Sequence, residues 1–345
     1  MVNIVREWTL QLVRGTPMCC QRTRDRLEKA MSLGGTRVFC SSPVDCVIAV
    51  RRNFLHFIGS YMSQRHQQRH AVGINPTSTE WTRLTNNLLR HNSRVFTIDY
   101  TNFGPGYNSA VALAAYELII RWVKQNVADA DEKELWALVW ECVQSIHICN
   151  NTVYQQFSGS PSGSVFTTII NTIVNQLYLL VAWNILVKDK VQAEGKFLLN
   201  EWLRNVTLYV YGDDAIGSVS PEYATLYNGI TITDFFKEYG IVATDAQKTG
   251  KIMDLVSLKN ATFLKRGFNP HPYRRGEWLS PLTIQSIQAI TQWVWKSANN
   301  VEATLVNCNA ALLQAHGHGE QEYTRIKNAI NRALLHKRIP PVYEY

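Results

Sequence analysis

Val206 to Val219 reads VTLYVYGDDAIGSV, two short apolar runs separated by Gly212-Asp213-Asp214. Runs of this kind around a Gly-Asp pair predict a β-hairpin, with glycine supplying the backbone conformation that a tight turn demands. The hairpin then carries acidic residues at its tip. A second stretch, RVFTIDY from Arg94 to Tyr100, alternates apolar and polar residues, which predicts a strand ending at Asp99. Strand pairing would bring Asp99 and the Asp213-Asp214 tip together. Such an oxygen-rich cluster suits Mg²⁺, and two ions about 4 Å apart stabilise the attacking and leaving oxygens of a phosphoryl displacement. An Asp-Asp pair in a turn is by itself ordinary turn chemistry, so the reading depends on what surrounds it.

Outward from these strands, Phe103 to Gly106 (FGPG) breaks the first, and Asn108 to Val123 has helical spacing behind an Asn cap. FSGSPSG, from Phe157 to Gly163, reads as loop. Cys142 to Val187 contains no Asp, Glu, Lys or Arg, and Val165 to Val187 is long enough to cross a bilayer. Thr167, Thr168, Asn171, Thr172, Asn175 and Asn184 punctuate that stretch. Such residues are costly in lipid but acceptable in a helix buried in protein beside a functional cleft, so a buried helix is expected. Thr231 to Tyr239 reads as helix, Thr262 to Arg266 opens a second hairpin, and Leu282 onward is mostly helical until Pro340-Pro341. The sum is an α+β fold with a small antiparallel sheet.

With 345 residues, 46% hydrophobic and 18% charged, the chain can bury a large core, which excludes disorder and a disulfide-stapled miniprotein. Thirty-five Lys and Arg against 27 Asp and Glu leave a net charge of +8, favouring an anionic partner. Basic residues concentrate between residues 1 and 70. The seven cysteines include no CxxC pair, which argues against a zinc site and for a reduced, cytosolic chain. Met1 to Trp8 holds Arg6 and Glu7 with no apolar run behind them, so no secretory signal is expected. No linker or repeat divides the chain. His66 and His70 have the spacing of two ligands on one helical face, but no Glu follows His66, and two surface histidines are the better expectation. No Walker loop is present, against a helicase.

Asp99 in DYTNF, Gly159 to Asn171 (GSPSGSVFTTIIN), Tyr211 to Asp214 (YGDD), Thr244 to Thr249 (TDAQKT), Phe263 to Arg266 (FLKR) and Ser280 to Trp295 follow one another in a known order. In that order the chain resembles the RNA-dependent RNA polymerases of picorna-like positive-strand RNA viruses. The resemblance covers nearly all of residues 20 to 300, and GINPTSTEW and FGPG are most similar to insect-virus members of the iflavirus and dicistrovirus-like branch. It implies a right-hand polymerase: partial fingers at 1–55 and 144–160, a palm at 56–143 and 161–268, and a helical thumb at 269–345. It also implies transfer of nucleotides from NTPs to the 3′ end of a growing RNA with Mg²⁺ or Mn²⁺. Asp99, Asp213 and Asp214 would be the metal ligands and Lys248 the general acid for leaving pyrophosphate. Asn171, with Ser162 and Thr167, would detect the ribose 2′-OH, while Lys29 and Arg37 would escort the triphosphate. Gly159 and Gly163 would give the loop that admits template its freedom, and Lys265 and Arg266 would grip the primer backbone. The implied partners are template, primer, NTPs and other viral replication proteins, at replication complexes in the host cytoplasm, with no transmembrane segment of the chain's own.

Two departures from the family pattern touch the chemistry. A second Asp five residues after the first is replaced by Gly104, so the carboxylate that would orient Asn171 is missing. In the basic fingers element, Arg24-Asp25-Arg26 stands for the usual Lys-Asp-Glu, and Gly35 for a lysine. The first recognisable element begins near residue 20, so the N-terminal fingers are expected to be missing and the chain to be a fragment. A reverse transcriptase shares the palm carboxylates, but Gly212 and Asn171 favour ribonucleotides. A degenerate RNA-binding remnant is the rival outside catalysis. It gains from the altered fingers and loses from intact carboxylates.

Overall fold

The computed structural model describes residues 18–20, 39–101, 103–149, 151–160, 163–191, 196–245, 250–294 and 297–342. Lys29, Arg37, Ser162 and Lys248 lie outside the described residues. The chain runs β1 (Met18–Cys20), β2 (Phe39–Ser41), α1 (Val44–Ser63), α2 (Thr79–Leu88), β3 (Arg94–Tyr100), α3 (Ser109–Asn126) and α4 (Glu132–Val143). There follow β4 (Ile146–Cys149), β5 (Thr152–Gln155), α5 (Thr167–Val191), α6 (Lys196–Asn205), β6 (Val206–Tyr211), β7 (Asp214–Val219) and α7 (Gly229–Glu238). The last elements are β8 (Ala243–Thr244), β9 (Val256–Ser257), β10 (Asn269–Pro270), β11 (Trp278–Leu279), α8 (Ile284–Gln292), α9 (Asn300–Ala315) and α10 (Glu320–His336).

The predicted hairpin forms in register from Val206↔Val219 to Tyr211↔Asp214, which leaves Gly212 and Asp213 as a two-residue turn. Gly212 has φ +62°, a conformation open to glycine and strained for other residues, at the first turn position where such hairpins need it. β7 pairs antiparallel with β3 through Phe96↔Gly217, Thr97↔Ile216 and Ile98↔Ala215. The far edge of β3 is taken by β9 at Arg94 and Val95 and by β8 at Asp99 and Tyr100. Because side chains alternate along a strand, the sheet divides two cores. Phe96, Ile98, Leu208, Val210 and Ala215 face the core built with α1, α3, α4, α5 and α7. Val95, Tyr209 and Ile216 face the other, with Trp81, Leu84 and Leu88 of α2 and the rings of Phe263 and Phe268.

The helix starts read from the sequence are matched or nearly so. Asn108 caps α3 through the Ala110 amide. α7 starts two residues before the predicted Thr231, because Asn228 and Thr231 form a reciprocal capping box. The charge-free stretch becomes α5, 25 residues long and apolar enough to cross a membrane by length and composition, with 56% of its most apolar window buried inside the protein. Thr172 and Asn175 on it are fully buried and face protein. The hairpin predicted from Thr262 is reduced to one turn, in which Phe263 and Arg266 exchange backbone hydrogen bonds of 2.9 Å, while the short β10–β11 pair forms separately.

β1 and β2 join β4 and β5 in a four-stranded sheet of order β2-β1-β4-β5, bringing residues 18–20 and 39–41 onto residues 146–155. The boundary expected between residues 55 and 56 falls inside α1, a single helix whose Val50, Phe54, Phe57 and Tyr61 pack into the main core. Helices α8 to α10 hold a third core of their own around Ile287, Leu312, Ile326 and Leu334.

The histidine expectation is overturned. α1 stops at Ser63, Arg69 adopts φ +58°, and the segment after it runs beside β6, where the Ala71 amide donates to the Val210 carbonyl at 2.8 Å. His70 is wholly buried and stacks on the Tyr61 ring at 3.8 Å between centroids. Its Nδ1 accepts from the Val72 amide at 3.1 Å, so Nε2 carries the proton and donates to the Tyr61 carbonyl at 3.0 Å. Burial, the largest cause, pushes the His70 pKa down to about 4. His66 Nδ1 lies 3.0 Å from the Tyr209 hydroxyl. Neither is a surface histidine on a helical face.

Candidate active site

Three pieces of chain meet at one end of the central sheet. β3 delivers Asp99, which is buried, with 5% of its surface exposed, and opposite Thr244 of β8. The hairpin turn delivers Asp213, exposed, followed by the half-buried Asp214. Continuing the β3–β7 register by one residue sets Asp99 level with Asp214, so strand pairing alone brings the predicted acidic residues to one edge.

The third piece is α5, and it holds the turn through residues that sequence reading noticed only as polar interruptions. Thr172 Oγ1 accepts from the Gly212 amide at 2.8 Å and donates to the Thr168 carbonyl at 2.6 Å. Asn175 Nδ2 donates to the carbonyls of Gly212 at 3.1 Å and Asp213 at 3.0 Å. Its Oδ1 accepts from the Tyr100 hydroxyl at 2.8 Å. Only this amide orientation satisfies both carbonyls, because they can only accept. Burial, followed by the neighbouring phenols of Tyr227 and Tyr178 and the carboxylates of Asp213 and Asp99, holds the Tyr100 phenol protonated far above its usual range. It therefore remains a donor. Tyr100 is the residue after Asp99, so one buried amide ties the strand that carries the first acid to the turn that carries the second. The sequence signal was present: Asn175 lies four residues, about one helical turn, beyond Asn171.

Asn171 is half-buried, and among the described residues its Oδ1 has no hydrogen-bond partner although the atom is shielded from solvent. A Cβ built on Gly104 would lie 3.5 Å from Asn171 Nδ2 and 3.7 Å from the Ser160 carbonyl. The position five residues after Asp99 therefore does border Asn171, and in this chain it presents no side chain. The two loops are stitched by the Ser160 amide donating to the Gly104 carbonyl at 2.8 Å and by the Gly159 amide donating to the Tyr107 carbonyl at 3.3 Å. Gly163, with φ +110°, passes so close to the Cys40 backbone that a Cβ would lie 2.1 Å from its carbonyl oxygen. Glycine there is a requirement of space as much as of conformation. The Thr167 hydroxyl donates to the Ser164 carbonyl at 2.9 Å, a back-bond to the preceding turn.

The remaining candidates divide. Leu264 and Lys265 both have left-handed backbones, φ +54° and +60°, at the centre of the Phe263–Arg266 turn, which holds Lys265 exposed at its apex. Arg266 turns inward and donates to the Ser280 carbonyl at 2.8 Å, and burial lowers its pKa. Asp245, which follows the strand pair of Asp99 and Thr244, accepts from the Gly250 amide at 3.0 Å.

Among the described residues, no three His, Cys, Asp or Glu side chains form a ready-made metal cage. Mg²⁺ is commonly held by one or two carboxylates with substrate phosphates and water completing the shell, and Asp99 and Asp213 are hard oxygen donors of that type. The donor set fits Mg²⁺ or Mn²⁺.

Residues 10–334 match the family model described as viral RNA-dependent RNA polymerase. The chain is 36% identical over 321 residues to the genome polyprotein of deformed wing virus, covering 92% of this chain and 11% of that one. It is 30% identical over 318 residues to the replicase polyprotein of Drosophila C virus, covering 90% and 18%. The chain thus spans under a fifth of either polyprotein. Among solved structures, a Sicinivirus 3Dpol RNA-dependent RNA polymerase superposes with a TM-score of 0.79 at 20% identity, over 98% of this chain and 68% of that one. That likeness shows the fold.

Proposed function

Because the chain belongs to the viral RNA-dependent RNA polymerase family, we propose that it elongates RNA on an RNA template, adding nucleotides from NTPs to the 3′ end of the growing strand. The observation that carries this reading is the joining of Asp99 to the Gly212-Asp213 turn through Tyr100 and Asn175. Asp99 and Asp213, with Asp214 in support, would hold Mg²⁺ or Mn²⁺, which when bound neutralises charge developing on the triphosphate and lowers the barrier to attack by the 3′-hydroxyl. The protein's part is positioning. Strand pairing sets the spacing of the two carboxylates, and α5 fixes the turn so that Asp213 does not swing with the loop. Asn171, which borders the open position at Gly104, hydrogen-bonds a ribose hydroxyl in this reading. Ser162 and Thr167 assist it in this reading, and Lys248 protonates the departing pyrophosphate. Lys29 and Arg37 escort the triphosphate, and Gly159 and Gly163 let the loop admit the template. Exposed Lys265 contacts the primer backbone, with Arg266 bracing its turn through Ser280.

Within this reading, residues 1–55 and 144–160 serve as fingers, 56–143 and 161–268 as palm, with α1 bridging the two, and 269–345 as thumb. In the same reading the chain works at replication complexes in the host cytoplasm, alongside other viral replication proteins. The test is primed elongation. Asp99→Asn and Asp213→Asn should each lower incorporation by at least a hundredfold while RNA binding and melting temperature hold, since removing carboxylate repulsion does not unfold a site. Substantial incorporation by either variant refutes the assignment.

A further inference from the structure

A concentration of arginine lies at the end of the central sheet remote from the catalytic turn. Arg83 on α2 and Arg90 in the turn that follows it are both exposed, and among the described residues neither pairs with an acid. Behind them Arg69 is fixed, donating to the carbonyls of Val206 at 2.8 Å and Leu203 at 2.7 Å and lying 4.7 Å over the Trp202 ring. Asn87 of α2 donates to the Tyr209 hydroxyl at 2.7 Å, and Asn92 reaches the Val219 carbonyl at 3.4 Å, which locates the cluster against the β6–β7 end of the sheet. Arg69, Arg83 and Arg90 all act on the Tyr209 phenol, and Arg69 and Arg90 both act on His91. The nearby acids are engaged, Glu80 by Arg65 and Glu201 by Arg204. Val206, to which Arg69 is anchored, is five residues from Tyr211 along β6, so that anchor stands about 17 Å from the turn that carries Asp213.

We propose that this arginine surface binds the phosphate backbone of single-stranded RNA outside the catalytic cleft, holding template or product in a sequence-independent way. The inference rests on RNA being the polymer handled. A protein partner is the weaker fit, because stable protein interfaces need an apolar centre. No large apolar side chain between residues 64 and 93 is exposed, and Leu199 and Leu203 of α6 lie at the margin. A phosphate backbone needs only cations at reach.

The experiment uses the full chain and a labelled 20-nucleotide single strand, with anisotropy read across salt concentrations. Arg83→Ala combined with Arg90→Ala should weaken binding by about tenfold at low salt and make the log–log salt slope shallower by about 1.4, two contacts at roughly 0.7 each. Elongation of a short primer–template without a long single-stranded tail, and the melting temperature, should be unchanged. Unchanged affinity and slope overturn the proposal. So does an equal loss on the short primer–template, which would place the effect in the cleft, and so does a loss confined to binding of poly-glutamate, which would assign the surface to acidic protein. If the wild-type chain does not elongate, the polymerase reading fails while the binding arm still decides this one.

Discussion

Replacing Asn175 tests whether the buried amide positions the catalytic turn or merely fills the core. Asn175→Ala removes three hydrogen bonds at once, to Tyr100 at 2.8 Å, to Gly212 at 3.1 Å and to Asp213 at 3.0 Å. At about 1 kcal/mol net for each, with buried partners left unsatisfied, the loss of stability should be about 3 kcal/mol or somewhat more. Tyr100→Phe removes one bond and should cost about 1 kcal/mol. Asn175→Asp keeps an acceptor for Tyr100 but sets carboxylate oxygens against two carbonyls, so it should be at least as damaging as alanine. If the amide positions Asp213, catalysis should fall further than stability explains. A displacement of about 1 Å costs on the order of a hundredfold in rate, and the half-saturating Mg²⁺ concentration should rise. The assay is elongation of a pre-annealed primer at saturating NTP under a Mg²⁺ titration, at a temperature well below each variant's melting point. The reasoning is refuted if Asn175→Ala and Tyr100→Phe lower the melting temperature but leave kcat and the Mg²⁺ midpoint at wild-type values.

Asn171→Ala should erode the preference for ribo- over deoxynucleotides by roughly five- to a hundredfold, and Gly104→Asp should sharpen that preference, both read as ratios of incorporation efficiency. Lys265→Ala should weaken RNA binding with little change in melting temperature, whereas Arg266→Ala should lower the melting temperature through loss of the Ser280 contact; equal behaviour of the two would contradict the turn's geometry. His70 is neutral in the fold with its pKa near 4 against an ordinary 6.5. The unfolded chain therefore takes up a proton that the folded chain refuses, and stability should fall as pH drops from about 6.5 to about 4, by up to about 3 kcal/mol at ~1.4 kcal/mol per pH unit. His70→Phe should flatten that acid-side slope in melts at pH 7.5 and 5.

The sheet was legible because its signals are local. RVFTIDY and VTLYVYGDDAIGSV alternate, and the alternation survives because each face has its own core, Ile98 and Leu208 on one side and Tyr209 and Ile216 on the other. The cap at Asn108 and the turn at Gly212 are likewise decided within a few residues. His66 and His70 misled because their spacing presupposes a helix that had already ended, and the left-handed Arg69 then turned His70 into the core. Lys265 and Arg266 are equivalent as adjacent cations in sequence. Only the tight turn, with Arg266 bound to Ser280, separates an exposed charge from a structural one.

Long-range partners explain what stayed hidden in the site. In α5, Thr168, Asn171, Thr172, Asn175 and Asn184 are similar interruptions of one apolar run, and nothing within the helix ranks them. Rank comes from what the sheet places opposite: Gly212 and Asp213 reach Thr172 and Asn175, while Gly104 comes to Asn171. The missing acid at Gly104 thereby changes meaning. In sequence it is a gap in a motif. In the fold it is an open position beside Asn171, whose amide oxygen has no hydrogen-bond partner among the described residues. The clamp at Asn175 makes the contrast sharp, since the same helix, one turn further on, spends every bond its amide uses on holding the protein's own turn. One polar residue of α5 is satisfied internally and fixes the turn that carries Asp213; Asn171, one turn away, borders Gly104, and its amide oxygen has no partner among the described residues.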